Sequence, residues 1–185
     1  SVREMSEGEL LQLEKTRDLN YSEDVYFDII RQKTASLIAS CCAVGASSTG
    51  AGEDTVEKMR AFGEKIGMAF QIKDDLFDYG EMEIGKPLGI DIKEKKMTLP
   101  LIYALSRSGW LEKRKIISIV RNESENPGKV KEVIAYVKQS GGIQYAVEKM
   151  SHYHQQAMAI LESFPPSDYR NSLKDLVQFT IDRTN

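Results

Sequence analysis

The stretch from Glu53 to Asp78 sets the tightest limit on the fold. Phe62, Ile66, Ala69, Phe70 and Phe77 recur along it at helical spacing, so it reads as one long helix with an apolar face. Gly63 and Gly67 cost it some helix propensity and leave room for a neighbouring helix to come close. The same periodicity runs through nearly all of the chain, and alternating strand patterns are missing. Ser6 and Glu9 offer a capping box opening a short helix to about Lys15. Ser22 caps a second long helix, with Ile29, Ile30, Leu37 and Ile38 as its apolar positions, which runs out in "AVGASSTGAG". Thr98 as cap, with Pro100 in the first turn, resumes helix after a polar loop. Further helices fall at about 111–121, 128–139, 143–163 and 168–182, separated by "NESENPG", "SGG" and "FPPS". The expectation is a single all-α domain over residues 1–185, a bundle of mostly antiparallel helices.

Composition narrows the function. Hydrophobic residues make up 41% of the 185 and charged residues 29%, as in ordinary folded domains. A net charge of −3 removes the bulk electrostatic case for nucleic-acid binding. No apolar run approaches the roughly 20 residues of a transmembrane segment, and no charged-then-apolar leader is seen. The two cysteines, Cys41 and Cys42, are neighbours whose side chains diverge on a helix, so a disulfide between them is strained. They read as small buried residues in a reducing cytoplasm.

The long helix ends in "FQIKDDLFDYG", where Asp74, Asp75 and Asp78 crowd one turn. At three- and four-residue spacing, all three carboxylates can project from one side. Each like-charge pair at roughly 6 Å costs on the order of 3 kcal/mol unscreened at an effective dielectric of about 20. Phe70, Ile72, Leu76 and Phe77 argue for burial, and buried carboxylates held together call for a cation. An oxygen-only donor set fits Mg²⁺, which favours one or two carboxylates plus phosphate oxygens. A solvated acidic turn remains the alternative, and the cluster alone leaves both open.

Basic residues nearby favour the first. Lys86, Lys93, Lys95 and Lys96 lie in the loop "YGEMEIGKPLGIDIKEKKM", which exceeds the roughly 12–15 residues expected of a structureless connection. "QKTA" puts Lys33 and Thr34 on the preceding long helix, which should pack antiparallel to the first with Lys33 near the height of Asp74. Carboxylates holding Mg²⁺ beside lysines describe a site for a diphosphate.

These segments carry a resemblance. "FGEKIGMAFQIKDDLFDYG" followed by "GKPLGIDIKEKKMTLPLIYAL" resembles the C-terminal half of the trans-isoprenyl (polyprenyl) diphosphate synthase family, notably the bacterial octaprenyl type. "GELLQL", "YFDIIRQKTASLIASCCAVGA" and the tail "AMAILESFPPSDYRNSLKDLVQFTIDR" are similar too, so the likeness covers almost the whole chain. It implies the isoprenoid synthase fold and a condensation of isopentenyl diphosphate with an allylic diphosphate. By the same resemblance, Asp74, Asp75 and Asp78 bind Mg²⁺ on the allylic diphosphate. Lys33, Lys86 and Lys96 contact the diphosphate, and Thr34 and Gln71 offer oxygen dipoles near the ionising carbon; Lys93 and Lys95, on their own residues, read as solvated surface lysines. A homodimer is implied as well.

The family's first aspartate-rich motif and its isopentenyl diphosphate site are not found in these residues. The chain is therefore expected to be the C-terminal portion, lacking its N-terminal helices and inactive alone. A non-catalytic partner subunit of a heteromeric synthase is the alternative. A class I terpene cyclase fits less well, because no second Asn/Ser/Glu metal constellation is present.

Overall fold

The computed structural model describes residues 1–19, 22–80 and 88–182. These form helices α1 (Val2–Asp18), α2 (Glu23–Ile30), α3 (Ser36–Ser48), α4 (Glu53–Phe77), α5 (Ile90–Lys93), α6 (Leu99–Ser106), α7 (Trp110–Asn122), α8 (Pro127–Gln139), α9 (Gly142–Glu162) and α10 (Asp168–Asp182). There is no strand among the described residues. The all-α expectation holds, and the boundaries of α4 and α7–α10 fall within a residue of the sequence reading.

α4 is the central strut, with α3 on one side and α9 on the other as its most extensive partners. Its glycines explain the closeness of α3: a methyl group at Gly67 would stand 2.5 Å from the Ala35 Cα, and one at Gly63 would stand 2.8 Å from the Ala39 Cα. Gly63 opposite Ala39 and Gly67 opposite Ala35 make the pair antiparallel. α9 is antiparallel to α4 as well, since Phe62 packs with Ala157 and Leu161 while Lys65 lies over the Tyr153 ring.

Between α2 and α3 the helix does not break but widens. Residues Arg31–Ala35 form a π-helical turn, in which the Ser36 N–H reaches back five residues to the Arg31 carbonyl. The extra residue shifts the buried face: Tyr26 and Ile30 are followed by Ala35, Ala39 and Ala43, one five-residue step among steps of four. Leu37, read from sequence as part of the apolar face, is consequently 42% exposed.

Three local expectations are corrected. Ser6 is not a cap, because α1 already begins at Val2 and the Ser6 hydroxyl bonds back to the Val2 carbonyl. Thr98 stands at the start of α6 but gives its helix no side-chain cap; its hydroxyl shares a buried 2.6 Å hydrogen bond with Tyr79. The cysteines are free, with Cys41 exposed and Cys42 half-buried, so the buried pair is not found.

Candidate active site

Side chains from α1, α2, the π-helical turn, α4, α5 and the segment before α6 enclose a cavity of about 230 Å³. It is lined by Gln12, Tyr26, Ile29, Ile30, Lys33, Thr34, Gln71, Asp74, Asp75, Asp91, Lys96, Met97 and Thr98. The antiparallel α3–α4 register does what the spacing predicted and sets Lys33 and Asp74 around one space.

The π-helical turn supplies Lys33 and Thr34. α1 is pressed against it at Gly8, where a methyl group would stand 2.7 Å from the Lys33 backbone nitrogen. That closeness brings α1 side chains onto the lysine: Lys33 Nζ lies 2.7 Å from Glu9 Oε2 and donates to Gln12 Oε1, also at 2.7 Å.

Along α4 the polar residues are linked in sequence. Thr34 Oγ1 donates to Gln71 Oε1 at 2.8 Å, Gln71 Nε2 donates to Asp75 Oδ1 at 3.0 Å, and Tyr26 OH donates to Asp75 Oδ2 at 2.7 Å. Asp75 is only 7% exposed. Burial pushes its carboxyl up to about 7; the hydrogen bonds from Gln71 and Tyr26 pull the other way, and the charges of Asp91 and Asp74 push it further up.

Asp78 is placed differently from its two neighbours. Its carboxylate accepts the backbone N–H of Ile90 at 2.7 Å and of Asp91 at 3.2 Å, and it is not among the residues lining the cavity. Its carboxyl is pushed up to about 6, chiefly by burial and then by Asp91. The short α5 that it caps carries Asp91, whose carboxyl burial also raises, against the pull of Lys96. Lys96 Nζ sits 3.3 Å from Asp91 and 2.5 Å from Glu94. The turn delivering it passes through Lys95, which holds the left-handed conformation at φ 59°. Lys86 lies outside the described residues.

Asp74, Asp75 and Asp91 face one cavity, every candidate ligand is an oxygen, and Asp75 and Asp91 are each raised by neighbouring carboxylates, so the residues suit a hard cation. Among the described residues no group of three or more His, Cys, Asp or Glu side chains is gathered tightly enough to enclose one. A magnesium-type ion would therefore complete its shell with water and ligand oxygens, as that ion ordinarily does.

Residues 1–137 match the polyprenyl synthetase family. The chain belongs to that family. The sequence is 32% identical over 181 residues to heptaprenyl diphosphate synthase component 2 of Geobacillus stearothermophilus, covering 97% of this chain and 55% of that protein. Its structure superposes on the geranylgeranyl pyrophosphate synthase of Bacteroides thetaiotaomicron with a TM-score of 0.90 at 39% identity, over 98% of this chain and 60% of that one. A polyprenyl synthase from Caulobacter crescentus, solved with calcium and isoprenyl diphosphate, gives 0.89 at 36% identity over 99% and 56%. The polyprenyl synthase resemblance read from the motifs is thus borne out, and so is the isoprenoid synthase fold. The chain spans about half the length of the curated relatives it matches.

Three cavity residues that make side-chain hydrogen bonds there, Asp91, Gln12 and Tyr26, were given no role by the sequence reading. Asp91 sits in the quoted loop and was passed over because its partners lie on α4 and before α6. Gln12 is in "GELLQL", but only the contact at Gly8 brings it to Lys33. Tyr26 carries no local signal, because its partner Asp75 lies 49 residues away on α4.

Proposed function

We propose that this chain is the C-terminal, diphosphate-activating part of a Mg²⁺-dependent trans-polyprenyl diphosphate synthase, condensing isopentenyl diphosphate with an allylic diphosphate. The observation that carries the reading is the convergence of Lys33 and Lys96 on a cavity that also holds Asp74, Asp75 and Asp91. In this reading the aspartate-rich turn Asp74, Asp75 and Asp78 serves Mg²⁺, with Asp78 acting from the flank. Bound there, the ion would neutralise the diphosphate oxygens as they take up negative charge.

The chain's own residues do the rest. Lys33 and Lys96 exchange their carboxylate partners for phosphate oxygens, and the family resemblance adds Lys86 as a third diphosphate contact. Together they stabilise the departing diphosphate as its bond to the allylic carbon breaks. Thr34 and Gln71 hold oxygen dipoles toward the allylic cation. The isopentenyl alkene attacks that cation, and loss of a proton leaves an allylic product five carbons longer. No side-chain nucleophile is needed.

Homodimer formation and a cytoplasmic setting belong to the same reading. Leu10 and Leu13 on α1 and Leu37 and Val44 on α3 are exposed large apolar side chains, which is compatible with a protein neighbour. No described helix is long and apolar enough to cross a membrane.

The test is condensation of farnesyl diphosphate with isopentenyl diphosphate and Mg²⁺, with products sized by mass spectrometry. The expected result is no product from this chain alone and product once a segment carrying the first aspartate-rich motif is restored. Absence of product after restoration would favour a second reading, a partner subunit of a heteromeric synthase. The similarity to a protein named as component 2 of a synthase keeps that reading in view.

A further inference from the structure

We propose that Tyr26 is a positioning residue: it fixes the direction of the hydrogen-bond chain running to Thr34, so that Thr34 turns an oxygen lone pair, and no proton, toward a cationic ligand in the cavity. The inference rests on the diphosphate reading above and deepens it.

The argument starts at Asp75. Above a pH of about 7 the Asp75 carboxyl is ionised and only accepts, so both groups touching it must donate. The Tyr26 hydroxyl does so at 2.7 Å, from a side chain that is itself 3% exposed. The Gln71 amide has one donating and one accepting end, and only its nitrogen can face a carboxylate. Its oxygen is thereby turned to Thr34 at 2.8 Å. Thr34 has one hydroxyl proton, and the Gln71 oxygen takes it. What remains of the hydroxyl toward the cavity is acceptor only.

The chain spans three elements, so its geometry belongs to the fold. Tyr26 is on α2, Thr34 on the π-helical turn, and Gln71 and Asp75 are one turn apart on α4. The widened turn lets Thr34 reach Gln71 while Tyr26, two turns earlier, reaches Asp75. Without the Tyr26 hydroxyl, Asp75 Oδ2 loses a buried donor and the carboxylate is no longer held to one orientation. Gln71 is then free to turn over, with its nitrogen facing Thr34, and Thr34 would point its own proton at the ligand.

Two diphosphates of the same shape read this out by calorimetric titration in Mg²⁺ at pH 8, where Asp75 is ionised. One is 2-(dimethylamino)ethyl diphosphate, an ammonium at neutral pH; the other is 3-methylbutyl diphosphate, its uncharged isostere. The unsubstituted chain should prefer the ammonium by about tenfold, the scale of one charge-assisted hydrogen bond. Tyr26→Phe should bring the ratio of the two affinities toward unity, and because both probes carry the same diphosphate, any change in diphosphate binding itself cancels in that ratio. Thr34→Val should lose the preference and Thr34→Ser, which keeps the hydroxyl, should retain it. A preference that survives in Tyr26→Phe overturns the proposal. So does equal binding of both probes to the unsubstituted chain, although the diphosphate reading then stands. If neither probe binds, the diphosphate reading itself fails. Should Tyr26→Phe not fold by circular dichroism, the Thr34 pair decides: equal ratios in Thr34→Val and Thr34→Ser overturn the proposal.

Discussion

The two ends of α4 solve opposite problems with the same backbone. Toward its N-terminus, Phe62 is 1% exposed and packs with Ala157, Leu161 and Val177, a small apolar cluster shared with α9 and α10. Toward its C-terminus, Asp75 is almost equally buried, yet its neighbours include two further carboxylates. The first end gains stability from every buried surface; the second gives some back, because charge is withdrawn from water without an equal countercharge. A helix that tolerates this at one end must be secured at the other.

The largest expected effect tests that division. Phe62→Ala should cost about 3–5 kcal/mol through lost burial and the cavity left behind. At roughly 2–4 °C per kcal/mol for a chain of this size, the melting temperature should fall by about 10 °C. Below the new transition, binding of Mg²⁺ with inorganic diphosphate should be unchanged. Loss of binding in a folded Phe62→Ala chain would mean that the two ends are coupled and the comparison is false.

The polar end should show its cost in a pH profile. Asp75 moves from an ordinary 3.8 to about 7 on folding, so the native state keeps this proton more tightly than the unfolded chain. The corresponding stability is fully present below about pH 4 and is lost as pH rises through about 7. The metal-free loss is on the order of 4 kcal/mol for this one group. Asp78 and Asp91 are raised too and add to the loss in the same direction. Chemical denaturation should therefore find the metal-free chain less stable at pH 8 than at pH 5. Asp75→Asn should flatten the profile and be the more stable of the two at pH 8, while losing stabilisation by Mg²⁺ and diphosphate. A profile of unchanged steepness in Asp75→Asn would show that Asp75 is not the source.

The same contrast explains what could be read from the residues. Phe62, Gly63, Ile66 and Gly67 announce their helix, face and close neighbour by local spacing alone, and α4 was bounded to within a residue. Asp74, Lys33, Thr34 and Gln71 were found because charge and polar groups at helical spacing imply a shared space. Asp78 was legible as a carboxylate but not as a cap for α5, since its partners Ile90 and Asp91 lie 12 and 13 residues on in sequence. Asp91 and Tyr26 depend on pairings across 5 and 49 residues, to Lys96 and Asp75. The π-helical turn defeats a reading built on a uniform 3.6-residue period, and it is also what brings Thr34 to Gln71. Local rules fail here at the site, where strain is held in place by the surrounding fold.

The smallest expected effect sharpens that last point. Lys95 adopts φ 59° although it is not glycine, just where the chain turns back and brings Lys96 to Asp91. A left-handed conformation costs a side-chain-bearing residue about 1 kcal/mol or more. Lys95→Gly removes that strain but also frees the unfolded chain, so the net gain is smaller than the strain itself. Lys95→Ala keeps the strain and removes the same charge, which makes it the proper reference. Lys95→Gly should exceed it by about 0.5–1 kcal/mol in denaturation, with the slope against denaturant unchanged. Diphosphate affinity should be the same in both variants, because Lys96, not Lys95, faces the cavity. Equal stability of the two would mean that the turn relaxes in solution and that Lys96 is held by its carboxylate partners alone; a common fall in affinity would mean that the Lys95 ammonium, taken as solvated, reaches the diphosphate after all.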